Sequence, residues 1–76
     1  MKTRVRELRL AAHMTQQQLA DQVRVSPRTI ISIEQEQYNP SLMLAYRISE
    51  VFRVSVEELC CLKENREKED QADETV

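Results

Sequence analysis

Apolar residues in this chain recur three or four positions apart in several short runs, which is the spacing of amphipathic helices. One run follows Thr15 and the next follows Ser26, and both residue types are favoured at helix N-caps. Gln18 completes a capping box with Thr15, and Pro27 stands at a first helical position, where its missing N–H costs nothing. The pattern therefore predicts one helix that ends near Val23 and a second that begins at Pro27.

The connection between these two predicted helices is so short that they must cross steeply, which is the helix-turn-helix geometry. Helical spacing turns Leu19, Ala20 and Val23 of the first helix toward a core. Ile30 and Ile33 form the corresponding buried stripe of the second helix. The second helix then keeps the following residues outside: Pro27, Arg28, Thr29, Ile31, Ser32 and Gln35.

The outward face of the second helix suits a polyanion, because no acidic residue precedes Glu34 and the N–H groups of a helix start favour phosphate. Arg28 can donate two hydrogen bonds to O6 and N7 of guanine, and Ser32 lies one turn further along. Thr29 is open between a phosphate contact and support of the helix. The residues predicted to contact DNA bases are Pro27, Arg28, Ile31 and Ser32.

An ordered series of short motifs runs through most of the chain. Its segments are Leu8-Arg9, Thr15-Gln16-x-x-Leu19-Ala20, Val25-Ser26-x-x-Thr29-Ile30-x-x-Ile33-Glu34, Tyr38-Asn39-Pro40-Ser41-Leu42 and Val51-Phe52-x-Val54-Ser55-Val56-Glu57-Glu58-Leu59. This series resembles the lambda-repressor/Cro-like (XRE) helix-turn-helix family over about residues 3–62. The resemblance implies an all-α fold, namely a compact five-helix lambda-repressor-like DNA-binding domain. Helices 2 and 3 would form the helix-turn-helix, with helix 3 in the major groove.

The resemblance also assigns individual residues. It implies a buried salt bridge between Arg9 and Glu34, since neither charge is tolerated on a packed face without its partner. It further implies that Gln16, at the start of helix 2, hydrogen-bonds a DNA phosphate. The loop after helix 3 can reach the backbone of the same half-site, and Tyr38 in this loop is open between such a contact and a lid over the core. The residues predicted to contact the DNA backbone are Gln16, Gln17, Thr29, Gln37 and Asn39.

The chain contains no glycine. Relatives in the family often carry glycine at four positions that here hold His13, Arg24, Glu36 and Arg53. A left-handed backbone costs a non-glycine residue about 1–2 kcal/mol, so we expect small losses of stability at these positions and an intact fold.

The second half of the chain predicts two more helices. Asn39 is predicted to cap helix 4 with Pro40 at its first position, and Ser55 with Glu58 forms a capping box for helix 5 over about residues 56–61. The predicted buried stripe of helix 4 is Leu42, Ala45, Ile48 and Phe52. The remaining apolar side chains exceed what one small core can absorb, which indicates a homodimer. The predicted dimer-interface residues are Leu44, Val51, Leu59, Cys60 and Leu62.

Charge divides the 76 residues unevenly. The net charge is −2. Residues 1–32 carry six Lys or Arg against two Asp or Glu, whereas residues 64–76 carry two against six. We therefore expect a helix-turn-helix domain over residues 1–63 and an acidic, flexible tail over residues 64–76, which could extend a helix for a turn or two before it frays. Lys2, Arg4 and Arg6 near the start of helix 1 are open between phosphate contacts and an ordinary solvated face.

The residue types and motifs of the sequence limit the classes of protein to which it can belong. There is no glycine-rich phosphate loop, no plausible metal cluster and no paired acid and base, so an enzyme and a cofactor are not expected. No apolar run has the length of a membrane span, and we expect a cytoplasmic protein without a small-molecule ligand. Adjacent Cys60 and Cys61 are read as a buried thiol beside an exposed one, with a redox contact across a dimer as the alternative.

The predicted function is a sequence-specific transcriptional regulator, a repressor that reads a palindromic operator in double-stranded DNA as a homodimer. A second hypothesis uses the same helices differently. The chain could be a protein-interaction module, such as an antitoxin or an anti-regulator, that acts through the helix 4/5 surface or the acidic tail.

Overall fold

The computed structural model describes residues 1–74, which form six α-helices and no strand within that range. The helices are α1 (Val5–Ala11), α2 (Gln16–Val23), α3 (Pro27–Glu34), α4 (Leu42–Phe52), α5 (Val56–Cys60) and α6 (Leu62–Glu74). The all-α fold with a helix-turn-helix at α2 and α3 is confirmed. The expected number of helices was too low by one, because the acidic segment after α5 is also helical.

The helix starts follow the local capping chemistry. The Thr15 hydroxyl accepts the N–H of Gln18 at 3.0 Å, and the Gln18 side chain accepts the N–H of Thr15 at 2.8 Å, so the predicted capping box is present. Ser26 occupies the N-cap of α3 with an extended backbone, but its hydroxyl lies 3.3 Å from the Thr29 hydroxyl and caps no N–H. Ser55 caps α5 through the N–H of Glu58.

The predicted start of α4 was wrong. Ser41 caps this helix by accepting the N–H of Leu44 at 3.1 Å, and the helix begins at Leu42 instead of Pro40. The inward face of α4 also differs from the prediction. Leu44 is buried, whereas Leu42 is 75% exposed and does not belong to the buried stripe in which it was predicted.

The core lies where α1 to α5 meet. Its fully buried large side chains are Val5, Leu19, Val23, Ile30, Ile33, Ile48 and Leu59. The backbone also closes the domain, since the N–H of Arg4 donates to the carbonyl of Leu59 at 2.8 Å. Because Ile30 and Ile33 are both inside, the opposite side of α3 is fixed as the outward side.

Left-handed backbone occurs at each position where the family favours glycine. His13, Arg24, Glu36 and Arg53 have φ values of 56°, 63°, 62° and 56°, so all four residues adopt the conformation for which glycine is favoured. A fifth residue, Cys61, has φ 48° between α5 and α6. Each of these five residues lowers the free energy of unfolding by about 1–2 kcal/mol, in a fold for which that free energy is typically about 5–15 kcal/mol.

The acidic segment continues directly from α5 as α6. Its composition predicts disorder, whereas the structure forms a helix whose first turn is tied to the start of the chain. Lys2 Nζ lies 3.0 Å from a Glu64 carboxylate oxygen, and the N–H of Lys2 donates to Asn65 Oδ1 at 3.1 Å. These contacts join residues more than 60 positions apart in sequence, so helical spacing could not reveal them.

No helix among the described residues is both long and apolar enough to span a bilayer.

Candidate nucleic-acid interface

The steep crossing of α2 and α3 depends on a tight turn at Arg24. This residue adopts the left-handed conformation, and the N–H of Val25 then donates to the carbonyl of Ala20 at 3.0 Å. The turn closes the end of α2 within two residues and allows α3 to begin at Pro27. The short connection predicted from the two N-caps is thus formed by a non-glycine residue in a conformation that glycine prefers.

The outward ridge of α3 carries the residues predicted to contact DNA bases. Arg28 is exposed, and within the described residues its guanidinium pairs with no carboxylate. Pro27, Ile31 and Ser32 are half-buried at the sides of the ridge. A free guanidinium at the first turn of an exposed helix is able to enter a DNA groove without first breaking an ion pair.

A shallow recess runs along the flank of the ridge that faces the following loop. We call it the loop-side recess, and it is lined by Ser26, Arg28, Thr29, Ser32 and Tyr38. Three hydroxyl groups, one guanidinium and one phenol therefore surround the same small space. Sequence reasoning left Tyr38 open between a DNA contact and a lid over the core. The ring is 44% exposed and lines this recess, so it does not act as a lid.

A second recess lies along the other flank of α3. We call it the α1-side recess, and it is lined by Arg6, Arg9, Met14, Thr15, Gln16, Ile31, Glu34 and Gln35. It brings together residues from α1, the start of α2 and the outward part of α3. Arg6 is the functional candidate that sequence reasoning did not separate from its neighbours, since three cations stand close together at that end of the chain.

The floor of the α1-side recess is an ion pair with further hydrogen bonds. Arg9 donates through Nε and Nη2 to the two carboxylate oxygens of Glu34, at 2.7 and 3.1 Å. Arg9 also donates to the carbonyl of Met14 at 2.8 Å, and Gln16 Nε2 donates to Glu34 Oε1 at 3.1 Å. The two charged side chains are 10% and 4% exposed. The hydrogen bonds that Arg9 donates to Glu34 raise the pKa of Arg9 above its ordinary value. The predicted salt bridge is therefore present.

The remaining residues predicted to contact the DNA backbone are spread over both sides of the ridge. Gln17 is exposed on α2, where its Nε2 donates to Asp21 Oδ1 at 2.8 Å. Gln37 and Asn39 are exposed in the loop after α3. Thr29 shares its hydroxyl with Ser26. Thr29 lies on α3 itself, and the other three lie on the elements that precede and follow α3 in the chain.

Three of the predicted dimer-interface residues belong to the core of the single chain. Leu44, Leu59 and Cys60 are 7%, 0% and 2% exposed, so they offer no surface to a second copy. Burial raises the pKa of the Cys60 thiol, and the neighbouring Cys61 adds to that rise. Val51 is half-buried and Leu62 is 44% exposed, so only these two remain available. The error follows from the register of α4 and from the depth at which α5 packs.

Two helices that cross through a tight turn, with the second presenting a polar ridge, define a helix-turn-helix protein. The helix-turn-helix family model matches residues 5–59. An uncharacterized HTH-type transcriptional regulator of Archaeoglobus fulgidus is 49% identical over 59 residues, which cover 78% of this chain and 84% of that protein. An uncharacterized HTH-type transcriptional regulator of Methanothermobacter thermautotrophicus is 41% identical over 69 residues, which cover 90% of this chain and 100% of that protein. The chain therefore belongs to the XRE-type family of helix-turn-helix transcriptional regulators.

A solved structure extends the comparison to the fold. The clp gene regulator ClgR from Corynebacterium glutamicum superposes with a TM-score of 0.67 and 21% sequence identity, covering 90% of this chain and 80% of that one. At this identity the likeness concerns the arrangement of the helices. Since 90% of the chain is covered, the likeness extends beyond the two helices of the helix-turn-helix.

Proposed function

We propose that this protein is a repressor that binds a palindromic operator as a homodimer, with α3 in the major groove. The observation that carries the proposal is the ridge of α3, with an Arg28 that has no salt-bridge partner among the described side chains and a polar recess on each flank. A major groove about 12 Å wide admits one helix and is bordered by two phosphate backbones. A ridge that reads bases between two polar recesses fits that geometry.

Charge supports a polyanionic partner on this side of the molecule. Residues 1–32, which include α1, α2 and most of α3, have a balance of +4, although the whole chain has −2. The one carboxylate in the α1-side recess, that of Glu34, is held by Arg9. Repulsion between this carboxylate and DNA phosphate is therefore offset within the recess.

Base contacts in this proposal come from Arg28, Ser32, Ile31 and Pro27, and backbone contacts from Gln16, Gln17, Thr29, Gln37 and Asn39. Arg28 provides the strongest discrimination, because a bidentate contact with guanine is worth about 1–3 kcal/mol against the wrong base. Ile31 can contact a thymine methyl group.

The homodimer in this proposal forms around Leu62. This side chain and Met1 border a groove between α5 and α6 whose rim carries Glu57, Lys63, Arg66 and Glu69. A patch with two acidic and two basic groups around an apolar centre is complementary to itself across a twofold axis. A twofold dimer that reads a palindromic operator must place its two copies of α3 about one DNA turn apart.

Fluorescence anisotropy of a labelled mixed-sequence duplex tests DNA binding directly. The protein is titrated at several salt concentrations, and the logarithm of the affinity is plotted against the logarithm of the salt concentration. We expect a steep negative slope, because each neutralised phosphate contributes about −0.9. A chain that binds no duplex even at low salt contradicts the proposal.

The helical structure of α6 supports a second candidate function, that of an interaction module that binds a basic protein. Glu64, Glu67, Glu69 and Asp70 are exposed on this helix, which extends from the domain as a charged surface. A chain that ends after Arg66 removes most of this surface and keeps the contacts of Glu64 and Asn65. A DNA reader should then retain or gain affinity for DNA, whereas an interaction module should lose its partner.

A further inference from the structure

Three cations stand near the start of the chain, and the structure separates them. Lys2 Nζ lies 3.0 Å from the carboxylate of Glu64, and Arg4 Nε lies 2.7 Å from that of Glu7. Arg6 forms no salt bridge with any carboxylate of the residues whose side chains are described. Two of the three side chains thus already have a carboxylate partner at the protein surface, and the third, which has none among the described side chains, is available to a ligand.

Arg6 is also the one of the three that lines the α1-side recess. There it shares a space with Gln16 at the start of α2, and with Ile31 and Gln35 on the flank of α3. The other charges of the recess are Arg9 and Glu34, which neutralise each other through two hydrogen bonds. The recess therefore has one uncompensated positive charge, and Arg6 carries it.

We propose that Arg6 binds a phosphate of the DNA backbone on the side of the major groove that faces α1. This inference rests on the proposed function, since it places α3 in that groove. The guanidinium has five N–H donors in a planar fork that matches phosphate oxygens, and it stays charged at every pH of interest. An arginine on α1 beside the flank of α3 reaches the phosphate wall and not the base edges.

The contact has a distinct signature in binding experiments. A phosphate contact carries no sequence information, so its loss weakens binding to all duplexes by the same factor. It also reduces the number of counterions released, which lowers the magnitude of the salt slope by about 0.9 for one phosphate. A base contact, by comparison, changes the preference among sequences.

Salt slopes of four proteins test the assignment with a mixed-sequence duplex as the probe. These are the wild type, Arg6→Ala, Arg6→Lys and Arg4→Ala. Arg4→Ala is the matched control, because it removes the same charge from the same end of the chain but from a guanidinium held by Glu7. Circular dichroism and thermal unfolding of each variant verify that the fold is unchanged.

We expect Arg6→Ala to lower the magnitude of the slope by about 0.9 and Arg6→Lys to restore most of it, with Arg4→Ala close to the wild type. Equal slopes for the wild type and Arg6→Ala, in a wild type that binds DNA, overturn the Arg6 assignment alone. Equal losses in Arg6→Ala and Arg4→Ala also overturn it, since general charge then explains both. A wild type that binds no duplex overturns the proposed function and this assignment together.

Discussion

The side chain of Asn65 pairs with both backbone groups of Lys2. Its Oδ1 accepts the Lys2 N–H at 3.1 Å, and its Nδ2 donates to the Lys2 carbonyl at 2.9 Å. The same Nδ2 donates to the carbonyl of Cys60 at 2.6 Å. One amide group therefore connects the start of the chain, the end of α5 and the first turn of α6.

Replacing Asn65 by alanine should loosen this junction. Three hydrogen bonds are lost, and because two of them are exposed to solvent, each counts at the low end of about 0.5–1.5 kcal/mol per bond, so we expect a loss of about 1–2 kcal/mol. Urea denaturation measures the change, and amide hydrogen exchange should show faster exchange in α6. Gln71→Ala, on the exposed face of the same helix, is the control and should change stability by less than about 0.5 kcal/mol. Equal effects of the two substitutions would contradict the proposed role of Asn65.

The ion pair between Lys2 and Glu64 makes the same junction sensitive to pH. The hydrogen bond from Lys2 lowers the pKa of Glu64, and its positive charge adds to this. A lowered carboxylate pKa contributes stability above the pKa of the unfolded chain, and this contribution disappears as the pH falls through the pKa of the folded chain. The difference in free energy of unfolding between wild type and Glu64→Gln should therefore be larger at neutral pH than well below pH about 4.3. A difference that stays constant over this range would show that the pair does not contribute.

The pair formed by Arg9 and Glu34 should behave as a coupled unit. Arg9→Met or Glu34→Leu alone leaves the other charge buried, and we expect each to lower the free energy of unfolding by about 3–5 kcal/mol. The double variant has no unpaired charge and should lose clearly less than the sum. Chemical denaturation of the three variants completes the double-mutant cycle. Additive losses would mean that the two side chains do not interact energetically.

Glycine at a left-handed position should stabilise this chain. Arg53 ends α4 with φ 56°, so Arg53→Gly relieves strain and is expected to raise the free energy of unfolding by about 1 kcal/mol. Arg47→Gly is the matched control, because it makes the same replacement at an exposed interior position of α4 and should cost about 1 kcal/mol. Thermal unfolding of both variants shows whether the signs are opposite. A loss of stability at both positions would contradict the strain at Arg53.

Arg28→Ala should separate base reading from general DNA binding. We expect the preference among duplex sequences to disappear, whereas salt-dependent binding to mixed-sequence DNA remains. Selection from a randomised duplex pool, followed by anisotropy on the selected sequence, measures both quantities. Arg47→Ala removes an exposed charge from α4 at a residue that lines neither of the two recesses beside α3, and it serves as the control. Survival of the sequence preference in Arg28→Ala would move the reading role to other residues.

The parts of the fold that could be predicted are those governed by neighbouring residues. The bounds of α2 and α3 follow from Thr15, Ser26 and Pro27, and the four left-handed positions follow from the family resemblance. The start of α4 could not be decided locally, because Asn39-Pro40 and Ser41-Leu42 both have the form of a helix start. Packing of Leu44 into the core selects the second, and packing is not visible in one sequence.

The same limit applies to the site. The outward ridge of α3 follows from helical spacing, since Ile30 and Ile33 must be inside. The difference between Arg6 and its neighbours depends on Glu64 and Glu7, and the first of these lies 62 positions from Lys2. The depth of Leu59 and Cys60 depends on how α5 docks. These features depend on tertiary contacts. They determine which residues are proposed for the phosphate contact and for the dimer interface.

The hydrogen-bonded floor of the α1-side recess separates the residues that support α3 from those on its outward ridge. Hydrogen bonds among Arg9, Gln16 and Glu34 join α1, the start of α2 and the end of α3. None of these three residues belongs to the predicted base contacts. Exchanging Arg28, Ile31 and Ser32 would therefore change the side chains that α3 offers to DNA, whereas the hydrogen bonds that support α3 would remain. Under the proposed function, substitutions on the outward side of α3 would change the preferred DNA sequence without removing the hydrogen bonds that hold the three helices together.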